Sequence, residues 1–286
     1  AMSRKKIKSG NKKLKWLVWL PLAGAAAAGL FILNMVRSDP LAEGKAFLRA
    51  QESKDMQEIT ARLDKRRMDD FTEAVQDGSV DVFSMFHDYA FLGDSRVVGF
   101  STYGYLDDAR VFAGAGHTIR NVDDYLENLK SLQPSVVYLS YGVNDTGLNI
   151  GGGEGEGGYG AVYEAQIDKI LDVVPNAKIV VNSIIAPSTE AVARSPRWAA
   201  YTDFNEQLKA MCEKRGWTYV DNDALGDGGT AQIYQADGVH FLSQFYYVWG
   251  QNILDAEMKA DSKSNSKTDT KSENKTDSNS DNKGNA

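Results

Sequence analysis

A three-layer α/β/α fold, with helices on both faces of a central parallel sheet, is predicted by two features of this sequence. Short apolar runs at 90–92, 109–113, 135–140, 178–185 and 218–220 alternate with helix-forming stretches such as 122–131, 162–173 and 198–215. Runs that are apolar throughout suit strands covered on both faces, as in a parallel sheet whose crossovers are helices. In such sheets ligands bind beyond the carboxyl ends of the strands. Two distinctive motifs, Gly93-Asp94-Ser95-Arg96 and Gly142-Val143-Asn144-Asp145, follow strand candidates, and a third, Asp237-Gly238-Val239-His240, follows the last strand by a long loop.

The ends of the chain have a different composition. Residues 2–15 carry seven Lys/Arg and no acid, and the next 21 residues, 16–36, carry no charge. About 20 apolar residues span a bilayer's hydrocarbon core. The expectation is therefore a cytoplasmic basic segment at 1–15 and a transmembrane helix at 16–36, with the remainder outside the cell membrane by the positive-inside rule. A cleaved signal peptide is the rival, because Ala25 to Ala28 supply small residues, but Leu30-Phe31-Ile32-Leu33 extend the apolar run past that point. Either way the rest of the chain is exported.

Residues 37–87 read as a helical stalk, since 41–75 are rich in Ala, Leu, Glu, Gln, Lys and Arg with no Pro or Gly after Gly44. Residues 88–260 form the predicted α/β domain. The tail, 261–286, is Ser, Asn, Lys, Asp and Thr with one Glu, one Gly and one Ala and without an aromatic or large aliphatic residue, and reads as disordered. A single cysteine, Cys212, excludes an internal disulfide. Between the two ends, residues 16–260 hold 20 Lys/Arg against 34 Asp/Glu, a formal charge of −14. That charge repels polyanions, so no nucleic-acid partner is expected.

The three motifs carry complementary chemistry. Serine-dependent acyl transfer needs a hydroxyl on a sharp turn, an imidazole to take its proton, a carboxylate to orient that imidazole, and donors aimed at the developing oxyanion. Asp237 and His240 are three apart around a glycine, so one turn can place both side chains on one side. Asp94 and Asp145 are expected to hold their loops through side-chain to backbone hydrogen bonds. His87 precedes the first strand, and His117 reads as a loop histidine that could reach substrate. The run Gly151 to Gly160 contains a formal G-x-G-x-x-G, yet it follows no strand directly and Glu154 and Glu156 would oppose a pyrophosphate. It reads as a flexible loop beside the site. Tyr103, Tyr105, Tyr141 and Tyr159 lie near these loops and could stack on sugar rings. No zinc-spaced Cys/His set, P-loop or G-x-S-x-G occurs, so no metal or cofactor is expected.

Over about residues 88–256 these motifs make the chain resemble the SGNH/GDSL hydrolase superfamily. The resemblance implies a flavodoxin-like three-layer domain with Ser95 as nucleophile, His240 as base and Asp237 as its orienting acid. It implies an oxyanion hole of the Ser95 N–H, the Gly116 N–H and the Asn144 side-chain amide, with Gly114 a competitor for the glycine's place. Arg96 stands where the family name has leucine, which bears on substrate preference. Arg96, Tyr141 and His117 are the substrate-binding candidates. The expected activity is an extracytoplasmic serine esterase acting on an acylated carbohydrate, with O-acetyl favoured. The alternatives are an O-acetyltransferase of envelope polysaccharide, a lysophospholipase or thioesterase, and a non-catalytic glycan-binding module.

Overall fold

The structure, a computed structural model, describes residues 42–76, 80–226 and 233–276. The expected basic segment, the membrane span at 16–36 and residues 277–286 lie outside the described residues. Among those described, no helix is long and apolar enough to cross a membrane. The chain divides into two compact units between residues 62 and 63. In the first, the described residues 42–62 are the start of helix α1 (Ala42–Gln76), where Phe47, Leu48 and Ile59 are exposed.

The second unit is the α/β domain. In chain order it contains β1 (Tyr89–Gly93), α2 (Ser95–Thr102), β2 (Val111–Ala113), α3 (Leu126–Leu132), β3 (Val136–Ser140), α4 (Val143–Leu148) and α5 (Tyr159–Val173). Then come β4 (Lys178–Asn182), α6 (Thr189–Arg194), α7 (Tyr201–Arg215), β5 (Thr218–Val220) and α8 (Phe245–Thr276). The five strands pair in parallel in the order β2-β1-β3-β4-β5. This is the flavodoxin-like order, whose reversal between β1 and β3 opens a crevice at their carboxyl ends. The first motif follows β1 and the second follows β3.

Alternation along each strand builds two cores. From β1, Ala90 and Leu92 join Leu129 of α3, Tyr163 and Ile167 of α5, and Leu208 of α7 on one face. Tyr89 and Phe91 face the other side, against Phe100 of α2 and Phe245, Trp249 and Ile253 of α8. Each buried Leu, Ile or Phe side chain gains roughly 1.5–3 kcal/mol by leaving water, so the outer helices are held to the sheet by their apolar stripes.

Three of the boundaries that differ from the sequence reading have a clear physical cause. Strand β2 starts late because Asp107 caps a 3-10 turn over Asp108–Arg110, its carboxylate accepting from the Ala109 N–H at 3.0 Å. Strand β4 stops at Asn182 because the Asn205 side chain replaces a neighbouring strand: it accepts from the Ile184 N–H at 2.7 Å and donates to the Ile184 carbonyl at 3.0 Å. Helix α8 continues to Thr276, through part of the tail that composition reads as disordered. Extending an existing helix needs no new nucleus, and Lys178 ties the segment down through Glu257 and Asp261 at 3.2 and 2.8 Å.

Candidate active site

At the end of β1 the chain turns sharply. A Cβ on Gly93 would sit 2.6 Å from the Ser140 carbonyl oxygen, so only glycine permits this approach to β3. Asp94 follows as the N-cap of α2, its carboxylate accepting from the Arg96 N–H at 2.9 Å. Ser95 is thereby the first helical residue, and it is half-buried. Burial raises the pKa of Asp94, against the charge of Arg96 and the N–H groups of Arg96 and Val143, which favour the carboxylate.

The third motif closes on Ser95 from the other side. Residues 233–242 form a narrow loop in which the Gln235 N–H donates to the His240 carbonyl at 2.7 Å and the Leu242 N–H to the Ile233 carbonyl at 2.8 Å. Gly238, with φ of +74°, makes the turn inside it. Asp237 accepts from the Val239 and His240 amides at 2.8 and 2.9 Å through one oxygen. Its other oxygen lies 2.5 Å from His240 Nδ1. His240 Nε2 lies 2.8 Å from Ser95 Oγ. A proton on Nδ1, shared with the carboxylate, leaves Nε2 as the acceptor for the serine proton. Burial raises the Asp237 pKa, but hydrogen bonds from His240 and the two amides more than offset it and leave the carboxyl at about 2.

The second motif and the 114–119 loop are stitched together. The Asn144 amide donates to the His117 carbonyl at 2.8 Å. Having two N–H groups, it keeps one more for another acceptor. Asp145 accepts from the Ile119 N–H at 2.9 Å, and burial pushes its carboxyl up to about 7. The expected loop-holding roles of Asp94 and Asp145 thus have their hydrogen bonds. Of the two candidate glycines, Gly114 is covered, since a Cβ there would meet the His117 ring at 2.5 Å, whereas Gly116 is exposed at φ +76° with open space around it.

The match to the GDSL-like lipase/acylhydrolase family runs over residues 91–247, more than half of the chain and all three motifs. The chain belongs to that family. It is a serine hydrolase of ester bonds. Among solved structures it is similar to a GDSL-like lipase from Bacteroides thetaiotaomicron, at 15% identity and TM-score 0.42, covering 69% of this chain and 98% of the other. It is also similar to an acetylxylan esterase from Geobacillus stearothermophilus, at 16% identity and TM-score 0.43, covering 59% and 92%. No curated protein matches it.

For this family member, the structure corrects two of the substrate-binding expectations. Arg96 is 4% exposed and Tyr141 is 1% exposed. The Arg96 side chain points inward, where Nη1 donates to the Ile185 carbonyl at 2.6 Å. Tyr141 belongs to the core between sheet and helices, as does Tyr159, so neither offers a ring to a sugar. His117 is half-buried, its ring over Gly114 and its Nδ1 3.3 Å from the Tyr125 hydroxyl. The glycine run is organised by Glu156, which accepts from the Gly151 and Gly153 amides at 3.0 Å each and pairs with Arg120. Among the described residues, no group of three or more His, Cys, Asp or Glu side chains could hold a metal.

Sequence reasoning missed Asn205, and also Trp198, whose indole N–H donates to the Val143 carbonyl at 3.0 Å at the base of the second motif. No local signal marks either residue, because each acts on a backbone group distant in sequence.

Proposed function

We propose that this chain is a membrane-anchored, extracytoplasmic esterase that removes O-acyl groups, acetyl above all, from carbohydrate through Ser95, His240 and Asp237. The observation that carries this reading is the unbroken relay from Asp237 through His240 to Ser95, at 2.5 and 2.8 Å.

In the mechanism, His240 Nε2 takes the Ser95 proton as Oγ attacks the acyl carbonyl carbon. Asp237 stays ionised, with its pKa at about 2, and stabilises the imidazolium that forms. The Ser95 and Gly116 N–H groups and the Asn144 amide receive the oxyanion, and each such donor is typically worth about 10²–10³ in rate. His240 then gives its proton to the departing sugar hydroxyl. A water, deprotonated by His240, attacks the acyl-enzyme carbonyl, and His240 returns that proton to Ser95 Oγ as the Oγ–acyl bond breaks and the acid leaves.

Two features support the substrate and the setting. The His240 and Asp237 side chains are 38% and 47% exposed, an open site that suits a small acyl group on a bulky polymer. The uncharged stretch 16–36 behind seven cations supports an anchor, with the domain facing the cell envelope.

The test is turnover of 4-nitrophenyl acetate, 4-nitrophenyl butyrate and acetylated xylo-oligosaccharide by the full chain in detergent, beside Ser95→Ala. Turnover that prefers acetyl and vanishes in the variant supports the reading. Diversion of the acetyl group to an added sugar makes the protein a transferase. Equal inertness of both proteins sinks the catalytic reading and favours a glycan-binding module.

A further inference from the structure

No step of the proposed hydrolysis uses Arg96, although it stands one residue past the nucleophile. Successive helical residues are rotated by about 100°, so Ser95 faces outward while Arg96 faces the core. Its guanidinium carbon lies 4.9 Å from the centroid of the Phe241 ring, and Phe241 is fully buried and directly follows His240. Its Nη1 donates to the Ile185 carbonyl beyond β4. Its own carbonyl accepts from the Tyr246 hydroxyl, in the first turn of α8, at 2.7 Å.

We propose that Arg96 is a positioning residue that pins the His240 loop against the nucleophile turn, so that Nε2 stays within reach of Ser95 Oγ. This rests on the Ser95–His240 reading above. Three segments that meet only in the folded protein converge on Arg96: the exit of β4, the His240 loop and the start of α8. A leucine would fill the space without desolvating a charge. A buried guanidinium is costly, the more so because among the described residues Nε and Nη2 have no hydrogen-bond partner. What the guanidinium provides and leucine lacks is a flat cation that lies on the Phe241 ring while its edge reaches the Ile185 carbonyl. Lysine, a point charge without that plane, cannot do both.

The experiment compares Arg96→Met, Arg96→Lys, Phe241→Leu and the Arg96→Met/Phe241→Leu pair in the full chain in detergent. It reads kcat and KM for 4-nitrophenyl acetate, melting temperature, and the low-field proton resonance of the His240 Nδ1–H. Misplacing a reacting group by about 1 Å costs on the order of 10²-fold. The expected result is a kcat loss of about 10- to 100-fold in Arg96→Met with KM within about 2-fold. Lysine should restore little of it. The double variant should be no worse than Arg96→Met, because both substitutions break one contact. The resonance should broaden in folded Arg96→Met and in Phe241→Leu, the variant that leaves the guanidinium in place.

An unchanged resonance with wild-type kcat in folded Arg96→Met would overturn the proposal, as would losses that simply add in the double variant or follow melting temperature alone. If the wild type lacks Ser95-dependent turnover, the hydrolysis reading fails by itself, and the resonance still reports whether Arg96 holds the loop.

Discussion

Two turns bracket Ser95, and each is held by an aspartate that accepts a backbone N–H two residues on: Asp94 from Arg96, and Asp237 from Val239. Their surroundings reverse the consequence. Asp94 is 2% exposed, and burial raises its pKa. Asp237 stands at the surface, takes three hydrogen bonds and is held at about 2. The same local geometry therefore makes a structural clasp where water is excluded and a permanently charged partner for His240 where it is not.

The comparison breaks most visibly at Asp237. Asp237→Asn keeps an acceptor for the turn but presents an amide to Nδ1, which forces the wrong tautomer. By analogy with triads in general, kcat for 4-nitrophenyl acetate should fall about 10³- to 10⁴-fold, while the urea midpoint at neutral pH falls only slightly because the carboxylate is exposed. A large loss of stability would show that the exposed turn is a clasp after all.

Asp94→Ala is the converse. Leaving the amides of Arg96 and Val143 without their acceptor should cost about 2–4 kcal/mol in urea unfolding. Wild-type stability in this variant would remove the distinction.

The pH dependence sharpens the same contrast. Asp145, another buried clasp, has a folded pKa raised to about 7, so between the ordinary carboxylate range and about 7 the folded state holds more protons than the unfolded. Its contribution is full at low pH and is lost as pH rises through that window. Asp237 runs the other way: its contribution is present above the ordinary carboxylate pKa and lost as pH falls toward about 2. Urea unfolding from pH 4 to 8 should therefore show Asp145→Asn gaining on the wild type as pH rises. A constant difference would refute the assignment.

The smallest effect belongs at the opposite end of the sheet. Lys178→Ala removes contacts to Glu257 and Asp261 and should cost about 0.2–1 kcal/mol with kcat unchanged. A change in kcat would mean that this end of α8 communicates with the loop at its start.

The five strands were legible in the sequence because each is a continuous apolar run with turn residues at its ends. Ser95, Asn144, Asp237 and His240 were picked out because their motifs resemble those of the hydrolase superfamily, with the three-residue spacing of Asp237 and His240 as local support. The helices Ser95–Thr102 and Val143–Leu148 were harder to see, being only eight and six residues long and beginning inside the motifs themselves. Arg96 and Tyr141 were misread as substrate contacts for a related reason: proximity in sequence to a reactive group says nothing about which side of the backbone faces solvent.

The sequence by itself therefore determined the parallel α/β layering and the order of the motifs, since periodicity and turn preference are properties of neighbouring residues, while its resemblance to the hydrolase superfamily named the candidate reacting groups. Only the tertiary structure decided that Asp94 and Asp145 are buried clasps, that Gly116 rather than Gly114 lies open, and that the Arg96 guanidinium meets Phe241, 145 residues further along the chain, counted from the two residue numbers. Burial and long-range contact depend on what packs against a residue after folding, and no local pattern carries that information.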